Sequence, residues 1–111
     1  MLSKDDILNA VDLQTATVDV PEWGGEVTIQ GMTGKTREIF ETMAADQSGA
    51  NDSNIRAHLA ALSIVDENGD LMFSEDDVKA LGEKSYLALD RVFKASQKLN
   101  ALDSVEEIEK N

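Results

Sequence analysis

"DENGDLMFSEDD", residues 66–77, carries six acids and no base, and two folds compete for it. A calcium loop of the EF-hand kind places oxygen ligands at positions one, three, five, seven, nine and twelve, with glycine at six. Counted from Asp66, the first three ligands are Asp66, Asn68 and Asp70, with Ser74 at nine and Asp77 at twelve. Position six, however, is Leu71, and the Asp77 side chain is shorter than the glutamate that usually binds through both oxygens. The competing reading uses more of the residues. Asp66-Glu67-Asn68-Gly69 is a turn, because Asn-Gly is a strong hairpin signal. Leu71 and Phe73 then point inward from a short strand. Ser74 starts a helix, with Asp77 as its capping-box partner. We therefore read the segment as turn, strand and helix start, with weak surface binding of divalent ions as an alternative.

Downstream, "SEDDVKALG", 74–82, is a helix that Gly82 ends. "SYLALDRVFKASQKLNAL", 85–102, is the strongest helix of the chain. Ser85 caps it, and Leu89, Val92, Phe93, Ser96 and Leu99 form an apolar stripe at three- and four-residue spacing. Lys84, Arg91 and Lys98 recur every seven residues on another side. "DSVEEIEKN" opens on a cap at Asp103 or Ser104 and forms a short acidic helix. Upstream, "IRAHLAALSIV", 55–65, is ambiguous. Ile55, Leu59 and Leu62 suit a helix, while Ile64 and Val65 beside the turn suit a strand, and the strand is preferred. "QSGANDSN", 47–54, reads as a mobile surface loop.

The N-terminal half alternates between helix and hairpin. "SKDDILNAVDL", 3–13, is a helix capped by Ser3, with Ile7, Leu8 and Val11 on one face. "TVDV" and "EVTIQ" both alternate with period two around "PEWGG", which makes 16–30 a hairpin. Gly24 and Gly25 are free to take positive φ in its turn. Trp23 sits in that turn, either folded over the local core or facing a partner. "TGKTREIFETMAAD", 33–46, is a helix burying Ile39, Phe40 and Met43. Its Gly34-Lys35-Thr36 resembles a phosphate loop, but the glycine required five positions before Gly34 is Ile29, so it is a first helical turn.

Composition limits function. Of 111 residues, 28 are Leu, Ile, Val or Phe, enough for a core in one domain, 1–111. No apolar run is long enough to span a membrane, and "MLSKDD" is not a secretory signal. A net charge of −12 argues against nucleic-acid binding. Without cysteine, and with His58 as the sole histidine, no thiolate metal site or imidazole cluster is available. No catalytic constellation, cofactor motif or nucleophile elbow is visible. The residues alone give an acidic α+β domain: an N-terminal helix and β-hairpin, a small antiparallel sheet, and a mostly helical C-terminal part.

Two stretches extend the reading. "VDVPEWGGEVTIQGMTGKTREIFE", 18–41, and "IVDENGDLMFSEDDVKALGEKSYLALDRVFKASQKLNAL", 64–102, together resemble the tail assembly chaperones of long-tailed bacteriophages. The resemblance implies a small non-enzymatic protein of the host cytoplasm, absent from the finished virion. It implies binding to the tape-measure protein and recruitment of tail-tube subunits. It also implies a longer second form made by a programmed frameshift. A structural tail or head–tail connector protein is the other reading.

Local charge points to a surface for partners or for self-association. Residues 79–98 hold five of the ten basic residues against only Glu83 and Asp90. Apolar burial by Tyr86, Leu87, Leu89 and Phe93 would supply affinity, with Arg91 and Lys98 setting register. With Trp23, these are the candidate partner-binding residues, and a homo-oligomer is expected.

Overall fold

The computed structural model describes residues 1–45 and 54–101. The loop expected over 47–54, apart from Asn54, and the helix expected after residue 102 lie outside the described residues.

The hairpin forms where the alternation places it. β1 (Thr15–Val20) pairs antiparallel with β2 (Gly25–Gln30), setting Val18 opposite Val27 and Ala16 opposite Ile29. Period two turns Val18, Val20 and Ile29 into the core and leaves Thr17, Asp19 and Thr28 outside. A 3-10 turn over Pro21–Trp23 joins the strands, closed by the Gly24 N–H donating to the Pro21 carbonyl at 3.0 Å. Gly24 takes φ 77°, the left-handed conformation that glycine adopts without steric cost. Gly25 is not in that region.

Residues 55–65 correct the strand preference. α3 (Ile55–Ser63) is helical to its last residue, and only β3 (Ile64–Val65) is strand. Alanine has the highest helix propensity, and Ala57, Ala60, Ala61 and Ile64, spaced three, one and three apart, form a buried stripe. β3 adds to β2, with Ile29 opposite Ile64 and Thr28 opposite Val65, to give the antiparallel order β1-β2-β3.

The acidic segment that follows is a turn. Gly69 takes φ 84°, and its N–H donates to the Asp66 carbonyl at 3.0 Å. Asp66 Oδ1 accepts from the N–H groups of Asn68 and Asp70 at 2.8 and 3.1 Å. The strand expected after the turn is reduced to a single bridge between Val65 and Leu71. Phe73 packs against the core, but Leu71 is half exposed, contrary to expectation. The Ser74–Asp77 capping box is present, with Asp77 Oδ2 accepting the Ser74 N–H at 2.8 Å. A 3-10 turn over Glu75–Asp77 leads into α4 (Val78–Gly82). Gly82 is the last helical residue and not a left-handed stop; its bare Cα faces the Asn54 amide.

α5 (Tyr86–Leu99) lies across β1 and β2, α3 packs beside α5, and α4 packs on α3. Ala88, Leu89, Val92 and Ser96 form its buried face. A twelve-residue helix between the hairpin and α3, α2 (Gly34–Ala45), begins at Thr33, whose Oγ1 accepts the Thr36 N–H at 3.1 Å. α2 buries Phe40 and half-buries Met43, but Ile39 is 47% exposed, not buried as expected. The N-terminal helix is also shorter than expected. α1 spans Lys4–Leu8, and Ile7, Leu8 and Val11 are all exposed. A short isolated helix is marginal without a packed face, and this one has no buried residue.

Candidate interaction surface

α5 presents two different sides. On the core side, the Ser63 and Ser96 hydroxyls share a hydrogen bond of 2.9 Å, both fully buried. The network continues to Asn100, whose Nδ2 donates to Ser96 O and Oγ at 2.9 and 3.1 Å. Asn100 Oδ1 accepts the Met32 N–H at 2.7 Å, and Asn100 O accepts from Arg37 Nη1 at 3.1 Å. These bonds fix the C-terminal end of α5 to the connection between β2 and α2.

On the solvent side, Leu87, Arg91, Lys94 and Lys98 lie at four-, three- and four-residue spacing, so they form one exposed stripe. Arg91 binds the hairpin tip. Its Nε and Nη2 donate to Glu22 Oε1 and Oε2 at 2.8 and 3.1 Å, a two-pronged pair. These hydrogen bonds hold the Glu22 carboxyl below its ordinary range and raise Arg91. Between the two sides, Asp90 takes Arg56 Nε at 3.0 Å and Lys94 Nζ at 3.1 Å. Burial works to raise Asp90, but hydrogen bonds from Arg56 and Lys94, and their charges, outweigh it and leave the carboxyl depressed. The Arg56 guanidinium also stands 5.0 Å from the ring centroids of both Tyr86 and Phe93, a cation–π arrangement.

The seven candidate partner residues thus divide. Leu87, Arg91 and Lys98 share the outer stripe, and Tyr86 is exposed beside it. Phe93 is half-buried and faces Arg56. Leu89 is 6% exposed and belongs to the core, which corrects its place on the partner surface. Trp23 packs against the core, and its Nε1–H is buried without a hydrogen-bond partner. Two contributors escaped sequence reading. Lys94 falls between the seven-residue repeats of Lys84, Arg91 and Lys98, although the spacing from Leu87 reveals it. Arg56 carries no local signal, because its partners are thirty or more positions away.

Among the described residues no three His, Cys, Asp or Glu side chains converge as a metal site, and no helix is long and apolar enough to cross a membrane. The carboxylate that would open a calcium loop, Asp66, is engaged by two backbone N–H groups.

No protein-family model and no curated protein matches the sequence. Among solved structures, the tail assembly chaperone of bacteriophage HK97 superposes with a TM-score of 0.64 at 18% identity, covering 90% of this chain and 95% of that chain. The α+β fold built from these helices and this three-stranded sheet is therefore the fold of the HK97 tail assembly chaperone.

Proposed function

We propose that this chain is a phage tail assembly chaperone, a non-enzymatic protein that binds the tape-measure protein and recruits tail-tube subunits. The observation that carries the proposal is a fold shared with the HK97 chaperone along nearly the whole of both chains. The exposed stripe of α5 supports it chemically. Leu87 offers apolar contact and Lys98 a cation without a carboxylate partner among the described residues, while Arg91 and Lys94, paired with Glu22 and Asp90, flank it in a chain of net charge −12. Such a surface attracts an acidic amphipathic helix while the rest of the chain repels other acidic surfaces. Action in the host cytoplasm, absence from the virion, self-association and a longer frameshifted form belong to the same proposal.

Co-expression tests it. The tape-measure protein of the same phage, insoluble alone, should become soluble and co-purify with this chain. Detection of the chain as a stoichiometric component of purified particles would support the structural-protein reading and overturn this one.

A further inference from the structure

Arg56 is held by three neighbours and still has donors to offer. It stands in the first turn of α3 and faces the opening turns of α5. Its guanidinium carbon lies 5.0 Å from the ring centroids of both Tyr86 and Phe93, and its Nε–H donates to Asp90 Oδ1 at 3.0 Å. A guanidinium carries five N–H donors in a rigid fork. Asp90 takes only the one on Nε, and the terminal Nη1 and Nη2 have no partner among the described residues. The side chain is 37% exposed, so the open end of the fork is within reach of solvent. Arg91 differs, because Glu22 takes both its Nε and its Nη2.

We propose that Arg56, framed by Tyr86 and Phe93, is a receptor for a carboxylate side chain of a partner helix, and that it anchors an acidic amphipathic client laid along α5. Tyr86, Asp90 and Phe93 are four and three positions apart, so they form a line beside the stripe of Leu87, Arg91 and Lys94. Lys94 joins the two lines through Asp90. A helix resting on the stripe therefore passes the open end of the Arg56 fork.

Charge and preorganisation both favour a carboxylate. Arg56 and Lys94 against Asp90 leave one positive charge, and Glu83 and Lys84, in the turn before α5, offset one another. One surplus cation makes a weak field, so selection falls to the fork, whose parallel N–H groups match the two oxygens of a carboxylate. The rings and Asp90 already restrict the guanidinium in the free chain, so a partner gains the pair without having to order it. Tyr86 and Leu87, 60% and 58% exposed, add apolar contact beside the fork. Arginine and tyrosine are also the side chains that most often dominate binding energy at interfaces.

The identity of the client rests on the chaperone reading, whereas the receptor is a property of this chain, and calorimetry with two probes separates them. One probe is a fragment of the tape-measure protein of the same phage; the other is a synthetic amphipathic helix with a glutamate-rich polar face. Arg56→Lys keeps the charge and removes the fork, and Tyr86→Leu keeps an apolar side chain and removes the ring. Each should weaken binding several-fold, with circular dichroism reporting folded chains. In NMR the Arg56 Nε–H signal should shift when either probe is added. Binding of the synthetic helix but not of the fragment, weakened by Arg56→Lys, would support the receptor and overturn the chaperone reading. Equal affinity of wild type and Arg56→Lys for a probe that binds would overturn the receptor and leave the chaperone reading standing. Failure of both probes to bind would also overturn the receptor. So would an Arg56 signal that shifts in the free chain on Asp52→Asn, because Asp52, four positions before Arg56, would then already occupy the fork.

Discussion

α1 and α5 start alike and end differently. Each is opened by a serine whose hydroxyl accepts a backbone N–H three residues on, and each is followed in sequence by apolar residues at helical spacing. α5 runs for fourteen residues and buries Ala88, Leu89, Val92 and Ser96, whereas α1 runs for five and buries nothing. The cap determines where a helix begins, but its length depends on whether a packed surface receives its apolar face. α5 is received by the sheet and α3. Among the described residues, nothing receives the apolar face of the N-terminal arm, residues 1–13, and Ile7, Leu8 and Val11 stay exposed.

The sharpest test of that contrast is the core face of α5. Leu89→Ala should cost about 2–5 kcal/mol, the range for truncating a buried leucine, measured by urea denaturation. A loss below 1 kcal/mol would mean that α5 does not anchor the fold. Next comes the buried hydroxyl pair. Ser96→Ala strands the Ser63 hydroxyl and removes an acceptor of Asn100, so roughly 1–3 kcal/mol should be lost. The Ser63→Ala/Ser96→Ala double variant should be less destabilised than the sum of the two single changes.

Acid separates the two regions by electrostatics. Glu22 is depressed below its ordinary 4.5 by the hydrogen bonds from Arg91. The stability it contributes is therefore full above that value and is lost as pH falls from there through the lower folded value. Asp90 behaves in the same way below its ordinary 3.8, and both carboxyls tie α5 to its neighbours. Asp6 is also depressed, by its bonds to Ser3, but these lie within the arm. Its protonation should fray α1 and leave global stability unchanged. Titration by NMR with parallel acid melts should show the Glu22→Gln variant losing part of the acid-dependent slope. An unchanged slope would mean that the Arg91 pair adds nothing in solution. The smallest effect belongs to the arm itself: Leu8→Ala should change stability by less than about 0.5 kcal/mol, as surface changes do.

How much of this was legible in sequence depends on how far apart the cooperating residues are. The hairpin was readable because its period-two pattern and its Pro-Glu-Trp-Gly turn are local. The turn at Asp66–Gly69 and the Ser74–Asp77 box were readable for the same reason. α3 was not, because its buried stripe is built from alanines, which contribute little to a hydrophobic pattern, and the β-branched pair Ile64-Val65 pulled the reading toward strand. The partner surface was half legible. Periodicity identified an amphipathic α5 and put Leu89, not Leu87, on its apolar stripe, but the expected partner surface drew on both, and only the structure divides them into buried Leu89 and exposed Leu87. The bonds that hold α5 in place link residues 68 and 69 positions apart, Met32 to Asn100 and Glu22 to Arg91. No local pattern announces such pairs.

The central proposal is that the outer stripe of α5 receives a helix of the tape-measure protein. Titration calorimetry of the purified chain with a tape-measure fragment tests it directly, with Lys94→Glu/Lys98→Glu as the comparison. The account predicts saturable binding by wild type that weakens at high salt, and at least tenfold weaker binding by the folded variant, equivalent to about 1.4 kcal/mol. Equal binding by both chains would contradict the placement of the client on this stripe, and no binding by wild type would contradict the chaperone reading itself.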